Sequence, residues 1–155
     1  MKRSMPKVDV HPDAAELIHA RAVATRPRET GGLLLGWWDG ETTVIRYAVE
    51  VTDPDATSHS WARAHDSAQT ALGAALERHE HPWLGYVGDW HSHPLPCGAS
   101  QQDRVSIRRA SMAVAGPAVL LVHRGDGEIE FVMARRGRLV KGRWAVRPGE
   151  GRGDR

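Results

Sequence analysis

Residues 84–103 read LGYVGDWHSHPLPCGASQQD, a stretch that changes conformation twice. Leu84 to Trp90 is a short apolar run interrupted by two glycines, the pattern of a buried strand that another segment approaches closely. His91 to Ala99 carries two prolines and a glycine and predicts a loop. Ser100 then stands where a helix N-cap belongs, with Asp103 three residues on, a carboxylate variant of the capping box. The helix it opens is expected to run to about Ala115, because Gly116-Pro117 provides a stop.

Working outward towards the N-terminus, a helix is predicted from about Ala62 to His79, with Pro82 marking its end. Before it, Asp53 to Ser60 is polar, contains Pro54 and reads as a loop. Leu33–Trp38 and Thr42–Val51 are rich in β-branched and large apolar residues and flank Asp39-Gly40, a hairpin signal. Ala14, Leu17, Ile18, Ala22 and Val23 recur at helical spacing behind Pro12 and Asp13, so a first helix is expected from Pro12 to about Arg26. Towards the C-terminus, Ala118–His123 and Glu128–Ala134 form a second hairpin around Arg124-Gly125-Asp126-Gly127, and a last strand is expected over Leu139–Val146. The order implies an α/β (α+β) fold with one mixed sheet flanked by helices. The chain's 155 residues, 41% of them hydrophobic, suit one core and not two. One domain is therefore expected over residues 1–147, followed by a disordered, charged, glycine-rich tail at 148–155. The Arg152-Gly153-Asp154 tripeptide in that tail is read as chance.

Composition narrows the partners. Lys and Arg number 21 against 19 acidic residues, a net charge of +2, and the sequence shows no clustered basic stripe of the kind nucleic acid requires. The cations of the C-terminal third, Arg135 to Arg147, read as a solvated sheet face. A single cysteine, Cys97, excludes an internal disulfide framework and fits a reducing compartment. No apolar run follows the basic start MKRSMPKVDV, so neither signal peptide nor membrane anchor is expected, and a cytoplasmic location is the default.

Nine histidines raise the question of clustering, and two of them answer it. His91 and His93 lie two residues apart, so on an extended segment both imidazoles point to the same side. Asp103 enters from the first turn of the following helix. Two neutral nitrogens and a carboxylate leave a fourth position on zinc for water, the open arrangement of catalytic sites. A closed structural site would need another protein ligand, which Cys97 alone could supply nearby. Zinc-bound water also needs a base that is not a ligand, and Glu29, expected to begin the strand of Gly31-Gly32-Leu33-Leu34-Leu35-Gly36, is the candidate.

Taken in order, Glu29 with GGLLLG, HSHP at His91 to Pro94, and Ser100-Gln101-Gln102-Asp103 resemble the Glu…His-x-His-Pro…Ser-x-x-Asp pattern of the JAMM/MPN (JAB-type) zinc metalloproteases, especially the bacterial branch, as does Trp90 before the first histidine. Six residues separate His93 from Ser100, one fewer than in the common pattern. The resemblance implies an MPN/JAB-like sheet with cytidine-deaminase-like layering and zinc held by His91, His93 and Asp103. It implies Glu29 as general base then acid, and Ser100 as the group that stabilises the tetrahedral intermediate. It further implies hydrolysis of a peptide or isopeptide bond at the C-terminal tail of a ubiquitin-like protein, with E1/E2-like proteins of the same pathway as further partners. Rival readings are a non-catalytic MPN scaffold, a RadC-like DNA-associated protein, and a trimming enzyme for a ubiquitin-like sulfur carrier. Trp37 and Trp38 read either as hairpin packing or as cover for a substrate tail added to a strand edge. The remaining histidines read as surface or hydrogen-bonded core residues.

Overall fold

The computed structural model describes residues 4–148. Eight strands and three helices follow in the order β1 (Lys7–Val10), α1 (Pro12–Thr25), β2 (Gly31–Asp39), β3 (Thr42–Glu50), α2 (His65–His79), β4 (Gly85–Ser92), α3 (Gln101–Ala110), β5 (Ala118–His123), β6 (Ile129–Arg135), β7 (Arg138–Val140) and β8 (Arg143–Val146). All strands belong to one mixed sheet, ordered β7-β6-β5-β4-β2-β3-β1-β8. Only Lys141-Gly142 joins β7 to β8, which stand at opposite ends of that order, so the sheet curls. Phe131 of β6 and Trp144 of β8 accordingly come within 6.4 Å, centroid to centroid.

Three apolar clusters divide the work. On one face α1 buries Ala14 and Ile18 against Leu34, Trp90, Val119 and Leu121. On the other, α2 covers Leu33 and Leu35, while α3 places Ile107 over Leu120, Val122 and Val132. The period of two in β2 and β5 thus feeds both faces, and only a strand covered on both sides can be apolar throughout. Gly32 is required by this packing, since a Cβ there would collide with the Val49 carbonyl oxygen of β3.

The sequence expectations hold for the three helices and both hairpins, with shifts at the ends. The β2–β3 turn is centred on Gly40-Glu41, and Gly40 alone takes positive φ, at 58°. β1 was not foreseen, because four residues give too short a pattern; it is held by parallel pairing on both sides, with β3 and β8. α2 begins at His65, later than expected, and α3 ends at Ala110, passing into a 3-10 turn at Ser111–Ala113. The single C-terminal strand is two, split at Lys141-Gly142 where the chain moves from one sheet edge to the other. The tail expected to be disordered lies outside the described residues except for the exposed Pro148, and so does its Arg-Gly-Asp tripeptide. No helix among the described residues is long and apolar enough to cross a membrane.

Candidate metal centre

His91 and Ser92 complete β4 and are not loop, as the prolines had suggested. His91 pairs with Gly31 of β2 and Val122 of β5, and the backbone N–H of Ser92 donates to Thr30 O at 2.8 Å. His93 follows the strand, its N–H donating to His123 O at 2.8 Å, so the extended path continues long enough to aim both imidazoles alike. Their rings stack at 4.8 Å. Gly31 is what lets β2 lie so close: a Cβ there would meet Trp90 O at 2.6 Å and His91 Cβ at 2.9 Å.

The third member comes from α3 through its cap. Ser100 Oγ accepts from Asp103 N at 3.1 Å, and Ser100 N donates to Asp103 Oδ2 at 2.7 Å, a complete capping box. That reciprocal bond fixes the carboxylate, whose Oδ2 lies 3.2 Å from His91 Nε2 and 3.5 Å from His93 Nε2. Among the described residues, His91, His93 and Asp103 form the group able to hold a metal ion, their donor atoms all within 4.8 Å of one another.

These residues fit a cation. His91 Nε2 is buried and makes no aligned hydrogen bond, a cost a metal would remove. His93 Nδ1 lies 3.2 Å from Cys97 O; a proton on Nδ1 donated there leaves the Nε2 lone pair facing the cluster. Burial first, and the His91 charge second, lower the His93 pKa and favour that neutral form. Burial pushes the Asp103 carboxyl up, but His91 and Ser100 outweigh it and hold the group at about 2, so it is anionic at neutral pH. Cys97 presents its sulfur to His93 Nδ1, at 3.5 Å, the ring's far side from Asp103. The closed four-ligand site therefore lacks its fourth donor.

Glu29 lies two residues before β2 and not within it. Its N–H donates to Thr57 O at 2.7 Å, and its half-buried side chain lines the same groove as the cluster. Burial, reinforced by the Asp103 charge and opposed by His91, raises its carboxyl to about 7. A group so placed can take and return a proton near neutrality.

The groove has a volume of about 770 Å³. One wall is the segment from Asp53 to Arg63, which sequence reasoning treated mainly as connection. Trp61 stands over His91, 6.4 Å between the two ring centroids, with Nε1 donating to Val51 O. Arg63 Nε lies 3.2 Å from Asp89 Oδ1, and Tyr86 Oη donates to Asp89 Oδ2 at 2.8 Å. Asp89 had a signal available: a charged residue in an apolar run, two before His91 and therefore on its face.

Trp37 and Trp38 are elsewhere, a correction to the substrate-cover reading. Gly31 pairs with His91 but Gly36 with Gly85, so the tryptophans lie beyond the opposite end of β4. Trp37 stacks on His81 at 4.6 Å, and Trp38 Nε1 donates to Pro117 O at 2.9 Å. Of the other histidines, His79 stacks on Tyr47, while buried His123 faces His19 Nδ1 at 2.9 Å on the α1 side of the sheet.

The family model of prokaryotic homologues of the JAB domain matches residues 11–135, a span that includes the candidate residues Glu29, His91, His93, Ser100 and Asp103. Among solved structures, protein DSY2949 from Desulfitobacterium hafniense is similar, with a TM-score of 0.66 at 17% identity, over 90% of this chain and 92% of that one. That likeness is one of fold. Among curated proteins none matches the chain.

Proposed function

The chain belongs to the prokaryotic homologues of the JAB domain, a family that includes metallopeptidases, and from that premise we propose that it is a zinc-dependent hydrolase cleaving a peptide or isopeptide bond at the C-terminal tail of a ubiquitin-like protein. The observation that carries this reading is the convergence of His91 Nε2, His93 Nε2 and Asp103 Oδ2 in a groove that also holds the proton-carrying Glu29. Two imidazoles and a carboxylate are the donor set of an open, catalytic zinc site.

Zinc held there supplies Lewis-acid polarisation and acidifies water. The chain supplies the rest. Glu29 takes a proton from the attacking water and delivers it to the departing amine. The Ser100 oxygen accepts from Asp103 N, leaving its O–H free to donate to the oxyanion that develops on the substrate carbonyl. Trp61 and the Asp53–Arg63 segment exclude water from one side and give an extended tail a wall to lie against. Small residues beside the scissile bond suit so confined a path. The ubiquitin-like protein or its conjugate is the proposed partner, with the E1/E2-like enzymes of the same pathway.

Metal analysis and cleavage of ubiquitin-like fusion proteins test the reading together. Wild type is expected to carry about one zinc per chain, and His91→Ala and His93→Ala to lose it. Glu29→Gln is expected to keep the metal and lose at least ~10²-fold in cleavage rate. Undiminished zinc in both histidine variants, or full cleavage by Glu29→Gln, overturns the assignment.

A further inference from the structure

The arginine-rich C-terminal third, a solvated sheet face by sequence, becomes a focused feature in three dimensions. Its centre is Gly137, in the turn between β6 and β7. Arg136 and Arg138 flank that glycine, and Arg135 stands directly opposite Arg138 in the strand register. From α3, Arg108 reaches across and donates Nε to Gly137 O at 2.9 Å. Met112 is 68% exposed and reaches the same glycine, its sulfur 3.0 Å from where a Cβ would stand.

Among the described residues, Arg21, Arg46, Arg63, Arg104, Arg124 and Arg147 each face a carboxylate, and the cations without one, such as Arg28 and Arg78, stand singly along the chain. Among the described residues, none of the four arginines around Gly137, namely Arg108, Arg135, Arg136 and Arg138, forms an ion pair. Like charges placed directly opposite across a strand pair are destabilising, so the fold keeps a cluster that opposes its own stability. An external anion would relieve it.

We propose that the surface around Gly137 is a docking site for an acidic segment of a protein partner, with an apolar side chain of that segment seated on Met112. Guanidinium groups pair carboxylates in a bidentate manner and desolvate more readily than ammonium groups. An exposed thioether is an adaptable apolar contact at protein-binding surfaces. Duplex nucleic acid instead asks for cations spread along a stripe to follow successive phosphates; here they are gathered about one turn. The surface lies at the far end of α3 from Asp103, so its occupation does not need the metal groove.

Fluorescence anisotropy with the full chain and three labelled probes tests this: a short peptide of glutamate and aspartate around a central leucine, a neutral peptide of the same length, and a short DNA duplex. The acidic peptide is expected to bind best at an ionic strength of about 0.1 M and to weaken as salt screens the pairs. Arg138→Glu, and separately Arg108→Glu, are expected to weaken it by roughly tenfold, while His91→Ala leaves it unchanged. Circular dichroism melting confirms that the variants are folded; Arg138 is exposed, so its reversal gives a folded test even if Arg108→Glu does not. Equal affinity for the acidic and neutral peptides, or retention of affinity in folded Arg138→Glu, overturns the proposal. Tighter binding of the duplex at the same salt also overturns it and assigns the surface to nucleic acid.

Discussion

Glu29 carries its raised pKa as a cost to the fold. Burial raises the carboxyl from 4.5 to about 7, so the folded chain binds this proton more tightly than the unfolded chain does. The penalty for ionising it is complete above about 7 and fades as pH falls towards 4.5. Removing the charge should therefore stabilise metal-free protein at high pH only. Glu29→Gln is expected to melt at a higher temperature than wild type at pH 8, with the difference shrinking through that window and gone below it. A melting series of the two metal-free proteins checks this; a gain independent of pH would locate the effect outside the carboxyl. Sequence order singled out Glu29 as the base, but its burial comes from Thr57 and the groove wall, which lie far along the chain.

The first turn of α3 is where a local rule and the candidate chemistry coincide. The same two hydrogen bonds that cap the helix orient the Asp103 carboxylate, so Ser100→Ala is expected to cost about 1 kcal/mol of stability and to weaken zinc binding as well. Thermal melts and a competitive chelator titration would separate the two effects. The wall from Asp53 to Arg63 depends instead on a long-range pair. Asp89 is largely buried, its acidity weakened by burial and sustained by Arg63 and the Tyr86 hydroxyl. Arg63→Met should cost about 2 kcal/mol by leaving that carboxylate short of a partner, and should speed amide exchange in residues 53–63 without affecting β5 and β6. Unchanged exchange in that segment would mean the wall is held by its own turns, such as Thr57 N to Ser60 O. A capping box was legible because it needs only four consecutive residues; the Arg63–Asp89 pair was not, because nothing local links a loop cation to a strand carboxylate.

Across the whole sheet, register decides which aromatic residues can touch a substrate. From the Gly31–His91 pair to Trp37 is six residues along β2, about 20 Å of strand. Trp37→Ala is therefore expected to leave zinc content and kcat/KM unchanged, whereas Trp61→Ala should lower kcat/KM by about tenfold with the metal retained. The opposite result would return the tail to the hairpin. By itself the sequence determined the alternation of helices and strands, the histidines that share a side, and the cap that carries Asp103, because each follows from periods of 2 or 3.6 and from hydrogen bonds spanning a few residues. The tertiary structure alone decided that His91 ends a strand and that β1 and β8 close the curl. It also decided that Trp61 stands over His91 while Trp37 does not, and that Arg108 of α3 joins the arginines of the β6–β7 turn at Gly137. Those outcomes depend on which strands pair and in what register, and sheet pairing joins residues whose separation along the chain leaves no periodic trace in it.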